Sequence, residues 1–273
     1  MLSRLELEDA MTAPTDNAAP GAPRRDFDLL DIPLEGVTAY WLSLHKLLEP
    51  HKKLKNAQRQ IQDEAQYTTE PLVRYLLEVL VSDMDAPDMR RLGQARADML
   101  LDGVARRLQL MRVALMDMAT AENPRRTLAK MTAQHSMPLI DEEKAFSLAQ
   151  QLLGLAATPG WEAKVHYFAV DHRIKDEKLL VALLFHAAWA RREGKMAARQ
   201  FLPHLHSVFF QQGLALVIDG FDAPFLRKRL KVHQAAIMAD ARRKTACSLE
   251  LACAIKQRLP YDTAFTMAKA WLA

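Results

Sequence analysis

The stretch Leu179–Ala190 reads LLVALLFHAAWA, twelve residues without a charged side chain. It reads as an apolar helical run. It is also too short to cross a bilayer, where a helix needs about 20 apolar residues. The second uncharged run, Ser207–Ile218, has the same length of twelve. Neither run is therefore long enough to be a membrane span. His186 lies inside the first run and reads as a packed core residue rather than a metal ligand.

Chain punctuation follows these runs. Arg191-Arg192-Glu193-Gly194-Lys195 ends the first one. Glycine at the end of a helix, with cations in its last turn, satisfies the terminal carbonyls and opposes the macrodipole. Asp219-Gly220-Phe221-Asp222-Ala223-Pro224 after the second run combines a turn with an N-cap and an early proline, which starts a helix.

The rest of the chain agrees with helix. Of its 273 residues, half are hydrophobic, 26% are charged and only nine are glycine. Ala, Leu, Met, Arg, Lys, Gln and Glu, the best intrinsic helix formers, dominate. The fold class expected is all-α, a helical bundle, with two related helical units as one reading of it. Apolar periodicity places helices at 34–51, 70–81, 85–121, 143–157, 175–193, 196–213, 223–255 and 261–272, with shorter ones at 126–132 and 161–169. Residues 52–64 read as a polar helix or a linker. Residues 1–26, rich in Ala and Pro, read as a disordered tail, and their acidic start does not resemble a signal peptide. The expected division is a helical unit at 27–121, connecting helices and loops at 122–160 around Thr158-Pro159-Gly160, and a second unit at 161–273.

Two segments echo each other. Leu77–Arg91 reads LEVLVSDMDAPDMRR and Leu214–Lys228 reads LALVIDGFDAPFLRK, and aligning them sets Asp85 on Asp222. The capping triplet carries much of the match, so two similarly capped helices and an internal duplication both account for it.

No catalytic pattern stands out. There is no glycine-rich phosphate loop, no HExxH, no CxxC and no nucleophile elbow. Cys247 and Cys253, six apart on one helix, face different ways and read as buried thiols. His204 and His206, two apart, point away from each other on a helix. No enzyme activity, cofactor or metal is expected. The net charge of +4 and pI near 9.0 are mildly basic. Basic clusters recur at Lys52, Lys53 and Lys55, at Arg90 and Arg91, at Arg227–Lys231, and at Arg242, Arg243 and Lys244.

The order Ala188, Ala190, Arg191, Arg192, Glu193, Gly194, Ala197, then Gly213, Leu214, Leu216, Val217, Asp219, Gly220, Asp222, Leu226 and Arg227 resembles the cytoplasmic region of the MotA family of flagellar stator subunits. That family carries four membrane helices, and nothing here matches them. The resemblance implies a helical fold, rotor-contact chemistry at Arg191 and Arg192, and a flagellar-motor setting. Arg199 stands where the family commonly has an acidic side chain.

The expected function is that of a cytoplasmic, non-enzymatic scaffold or adaptor, recruited to an inner-membrane assembly. Its partner would be a protein with an acidic surface, such as a flagellar rotor or stator component. Arg191, Arg192, Lys195 and Arg199 would lie along successive turns, with Arg227, Lys228 and Lys231 beyond them. Phe209, Phe210 and Phe221 are candidates for an apolar patch beside these cations. The alternative is a nucleic-acid-associated protein using the Arg227–Lys231 helix. Self-association is compatible with either.

Overall fold

The computed structural model describes residues 27–48 and 54–272. The expected tail at 1–26, Pro50, Lys52 and Lys53 lie outside the described residues. Among those described there are twelve helices and no strand. Ten are α-helices: α1 (Leu34–Leu48), α2 (Leu54–Tyr67), α3 (Pro71–Leu80), α4 (Ala86–Ala119), α5 (Pro124–Thr132), α6 (Glu142–Ala156), α7 (Asp176–Glu193), α8 (Val208–Ile218), α9 (Ala223–Lys256) and α10 (Tyr261–Leu272). Two are 3₁₀ segments, Trp161–Tyr167 and Lys195–His204. The polar stretch read as helix or linker is the helix α2.

Short polar side chains start these helices by accepting otherwise unsatisfied N–H groups. Asp85 Oδ1 accepts from Asp88 N at 2.8 Å, Asn123 Oδ1 from Arg125 N at 3.0 Å, and Asp222 Oδ1 from Phe225 N at 2.7 Å. Asp141 and Ser207 do the same for α6 and α8.

The helix expected at 196–213 is instead two elements. Gly194 has φ 85° and ψ 153°, a region open in practice to glycine alone, so α7 cannot continue through it. The chain then winds as 3₁₀, carries Pro203 without a backbone donor, and restarts only where Ser207 caps α8.

The chain forms two compact units. One comprises Val104–Ala235 among the described residues; the other comprises residues up to Gly103 together with Ala236 onward. The segment 122–160, expected to separate two units, lies inside the first. Chain order hides this division, because α4 and α9 each contribute one end to one unit and the other end to the other.

In the first unit α7 is the core. Every residue from Leu179 to Ala190 is buried, and each fully buried Leu or Phe side chain contributes about 1.5–3 kcal/mol. Phe168, Phe185 and Phe201 interlock around it with ring centroids 4.9–5.5 Å apart. His186 is fully buried among them, and its Nε2–H donates to the Phe168 carbonyl at 2.9 Å. The core of the second unit joins Trp41, Leu72 and Leu76 to Leu249, Cys247 and Cys253. Both cysteines are buried free thiols, as expected, and burial pushes the Cys247 thiol up to about 12.

The echo between the halves extends well beyond the matching triplet. Helices α4 and α9 are both 34 residues long, and each begins directly after its aligned aspartate. Shifted by the interval between Asp85 and Asp222, the start of α3 falls on that of α8, and the start of α5 on that of α10. Both long helices end alike. Ala121 and Arg258, which the same shift superposes, are the positive-φ non-glycine residues among those described, each at φ 53°. Glu122 N donates to Asp117 O at 2.9 Å, and Leu259 N donates to Ala254 O at 3.1 Å, a Schellman closure in both places. One contact is inverted. An added Cβ at Gly93 on α4 would meet Leu76 of α3, whereas in the second copy the glycine is on α8, Gly213, and the leucine is Leu230 on α9. The alignment sets Gly93 on Leu230 and Leu76 on Gly213. The close helix approach is thus kept while the large and small partners have changed places. The two halves thus repeat each other in element, cap and contact.

Candidate functional site

The seven expected partner-binding cations divide into two groups. Arg191 is exposed on the last turn of α7. Arg192 donates through Nε to Glu193 Oε1 at 2.7 Å and lies over the Trp189 ring at 5.4 Å. Lys195 is on the next element, and its Nζ donates to the Ala119 carbonyl at 3.4 Å. That carbonyl belongs to the last residue of α4, so Lys195 tends a helix end rather than facing outward. Arg199 reaches Asp219 at 3.7 Å. These four do not form one array along successive turns, because Gly194 interrupts the helix on which they were expected to follow one another. Lys244, expected on a basic surface, is a buried side chain paired with Asp240 at 2.5 Å.

The other group keeps its exposure. Arg227, Lys228 and Lys231 lie on the first three turns of α9, all exposed. None pairs with a carboxylate among the described residues. Nearby acids are already engaged: Asp222 caps α9 and Asp219 meets Arg199. Leu226 and Leu230, four apart and buried, fix which side of the helix faces inward.

An apolar strip accompanies these cations. Phe221 and Phe225 stack with centroids 4.8 Å apart and an interplanar angle of 22°, and they are 44% and 45% exposed. Val232 is 58% exposed. Phe225, Lys228 and Val232 are spaced at three and four residues, which puts them on one helix face. Phe209 and Phe210, the other patch candidates, are buried; Phe210 packs against His186 at 5.4 Å. Phe225 and Val232, the missed members, carried a signal in their spacing from Lys228, but periodicity alone does not say which stripe of a helix is covered.

Beside the strip a groove of about 260 Å³ runs between α8 and α9, lined by Gln212, Gly213, Ala215, Leu216, Arg229, Leu230 and His233. Burial, and secondarily the Arg229 cation, hold the His233 pKa below its ordinary value. The imidazole is therefore neutral near pH 7, and Arg229 is the groove's cation.

Among the described residues the first copy has no such surface. At the positions equivalent to Phe221, Phe225, Lys231 and Val232 it carries Met84, Asp88, Gln94 and Ala95, and Arg91 pairs with Asp88 at 3.1 Å. Comparison of the chain with protein-family profiles, with curated proteins and with solved structures finds no match. No helix among the described residues is long and apolar enough to cross a membrane.

Proposed function

We propose that this chain is a non-enzymatic helical scaffold or adaptor that docks an acidic protein segment on the first turns of α9. The observation carrying this reading is the exposed Phe221–Phe225 stack beside three cations without acidic partners. Exposed ion pairs are worth only about 0.2–1 kcal/mol each, so the cations select the partner while Phe221, Phe225 and Val232 supply the apolar contact that holds it. A partner helix with Leu or Phe on one face and Asp or Glu at its margins is complementary. The likeness of residues 188–227 to the cytoplasmic region of MotA proteins supports a cytoplasmic, flagellar-motor setting, with a rotor or stator component as partner. Arg191 is a second contact on that reading.

The test is fluorescence anisotropy with a labelled acidic amphipathic helical peptide and, separately, a labelled DNA duplex. Peptide binding is expected to weaken modestly with salt. It should fall about tenfold or more in Phe225→Ser and in the Arg227→Glu, Lys228→Glu, Lys231→Glu variant, both checked for unchanged circular dichroism. Tight duplex binding with a steep log-linear salt dependence would assign the helix to nucleic acid instead. No binding of either probe would remove the docking role.

A further inference from the structure

We infer that the closing part of each repeat is a recognition surface whose partner is the other repeat, so that the chain is two copies of one helical module joined covalently after exchanging their ends. This goes beyond the docking role and does not depend on it.

The exchange is visible in what each compact unit contains. The second unit takes α1–α3 and the start of α4 from the first repeat, and the end of α9 with α10 from the second. The first unit takes the end of α4 with α5 from the first repeat, and α7, α8 and the start of α9 from the second. The contacts are reciprocal, because α1 shifted by the same interval overlaps α7 over residues 176–185. α10 packs on α1, with His45 and Tyr261 rings 6.0 Å apart. α5, its equivalent in the first repeat, packs on α7.

The glycine approaches cross over in the same way. A Cβ at Gly93 in the first repeat would lie 2.5 Å from Leu249 of the second, and a Cβ at Gly213 in the second would collide with Leu115 of the first. Lys256, from the second repeat, donates to the Val79, Leu80 and Ser82 carbonyls that end α3 in the first. Lys195, from the second repeat, donates to Ala119, which ends α4 in the first.

Each repeat buries part of its apolar surface itself and needs the other to close the rest. Leu76 and Trp41 share a core with Leu249 and Cys253, and Gly213 is closed by Leu115. The piece each one lacks is the piece the other extends. Two copies of such a module would complete each other in the same way if they were separate chains, which is the geometry of an exchanged dimer.

The experiment cuts the intact chain between the repeats. A protease site is placed beside Met137, which is 75% exposed, and in a second version at Thr158–Gly160, an exposed turn. After cleavage of either version, the two fragments are expected to elute together, one to one, at the volume of the uncut chain and with unchanged helical circular dichroism. Adding Leu115→Ala and Leu249→Ala should let the cut fragments part at a lower urea concentration, whereas Phe225→Ala should not change it. Fragments that separate while each stays helical overturn the inference, because each repeat would then be complete in itself. Loss of helicity on cleavage overturns it too, because the connection and not the exchanged ends would be holding the repeats. An unaltered urea dependence in the double variant removes the assigned contacts.

Discussion

His186 is a titratable group inside an aromatic core. Burial drives its pKa from an ordinary 6.5 to about 4, against a smaller opposing effect from the Phe168 carbonyl. Its Nδ1 has no hydrogen-bond partner among the described residues. A depressed pKa means that the unfolded chain binds the proton first as pH falls. The folded state therefore keeps its full stability above pH 6.5 and loses it progressively as pH drops toward 4. A gap of this size corresponds to roughly 3 kcal/mol at the acid end. Urea unfolding midpoints at pH 7, 5.5 and 4.5 should fall steadily in the wild type. In His186→Phe the decline across this window should be shallower, although its pH 7 midpoint should be lower because the Phe168 carbonyl loses its donor. A wild-type midpoint that does not move would refute the buried neutral imidazole. That His186 is core was legible in its apolar neighbours. That Lys195 serves a helix end and Arg199 an ion pair was not, because their partners are remote in sequence. Ala119 closes a helix of the other repeat, and Asp219 lies beyond the whole of α8.

At the scale of elements, the helix ends carry the measurable weight. Ala121 and Arg258 close the two long helices in a left-handed conformation that costs a side chain about 1 kcal/mol or more and glycine almost nothing. Ala121→Gly and Arg258→Gly should each raise the melting temperature, by about 1–4 °C for a chain of this size, with similar effects because the two ends are built alike. Lys256 performs the opposite service for α3, giving donors to three carbonyls at 3.3, 3.1 and 2.6 Å. Lys256→Met keeps the stem and removes the donors, and should cost about 1–3 kcal/mol in chemical unfolding. Most helix ends were readable from local residues. Asp85, Asn123, Asp141 and Asp222 cap within three residues of themselves, so their chemistry is complete in a short window. The apolar spacing of 196–213 suits either winding, and Gly194 with Pro203 tips 195–204 toward 3₁₀ only once the chain direction after α7 is set.

At the scale of the whole molecule, sequence order and spatial grouping diverge. Periodicity locates α5 and α10, but nothing local says that α5 covers α7 or that α10 covers α1. These are long-range pairings, and the only trace of them in the chain is the repeat itself, which the Asp-Ala-Pro triplet hints at without showing what is exchanged. Met131 on α5 and Ala268 on α10 occupy equivalent positions and are 0% and 1% exposed. A carboxylate at either place would be buried without a partner or would push its helix away. Hydrogen exchange followed by mass spectrometry should then report damage far away in the chain. Met131→Glu should speed exchange in α7 and leave α1 protected; Ala268→Glu should speed exchange in α1 and leave α7 protected. If each substitution instead loosens the helices nearest to it in sequence, α3 and α4 for Met131→Glu and α8 and α9 for Ala268→Glu, then each repeat closes on itself and the units are not shared between them. The crossed pattern is the expected one, because the faces these residues bury are supplied by the other repeat.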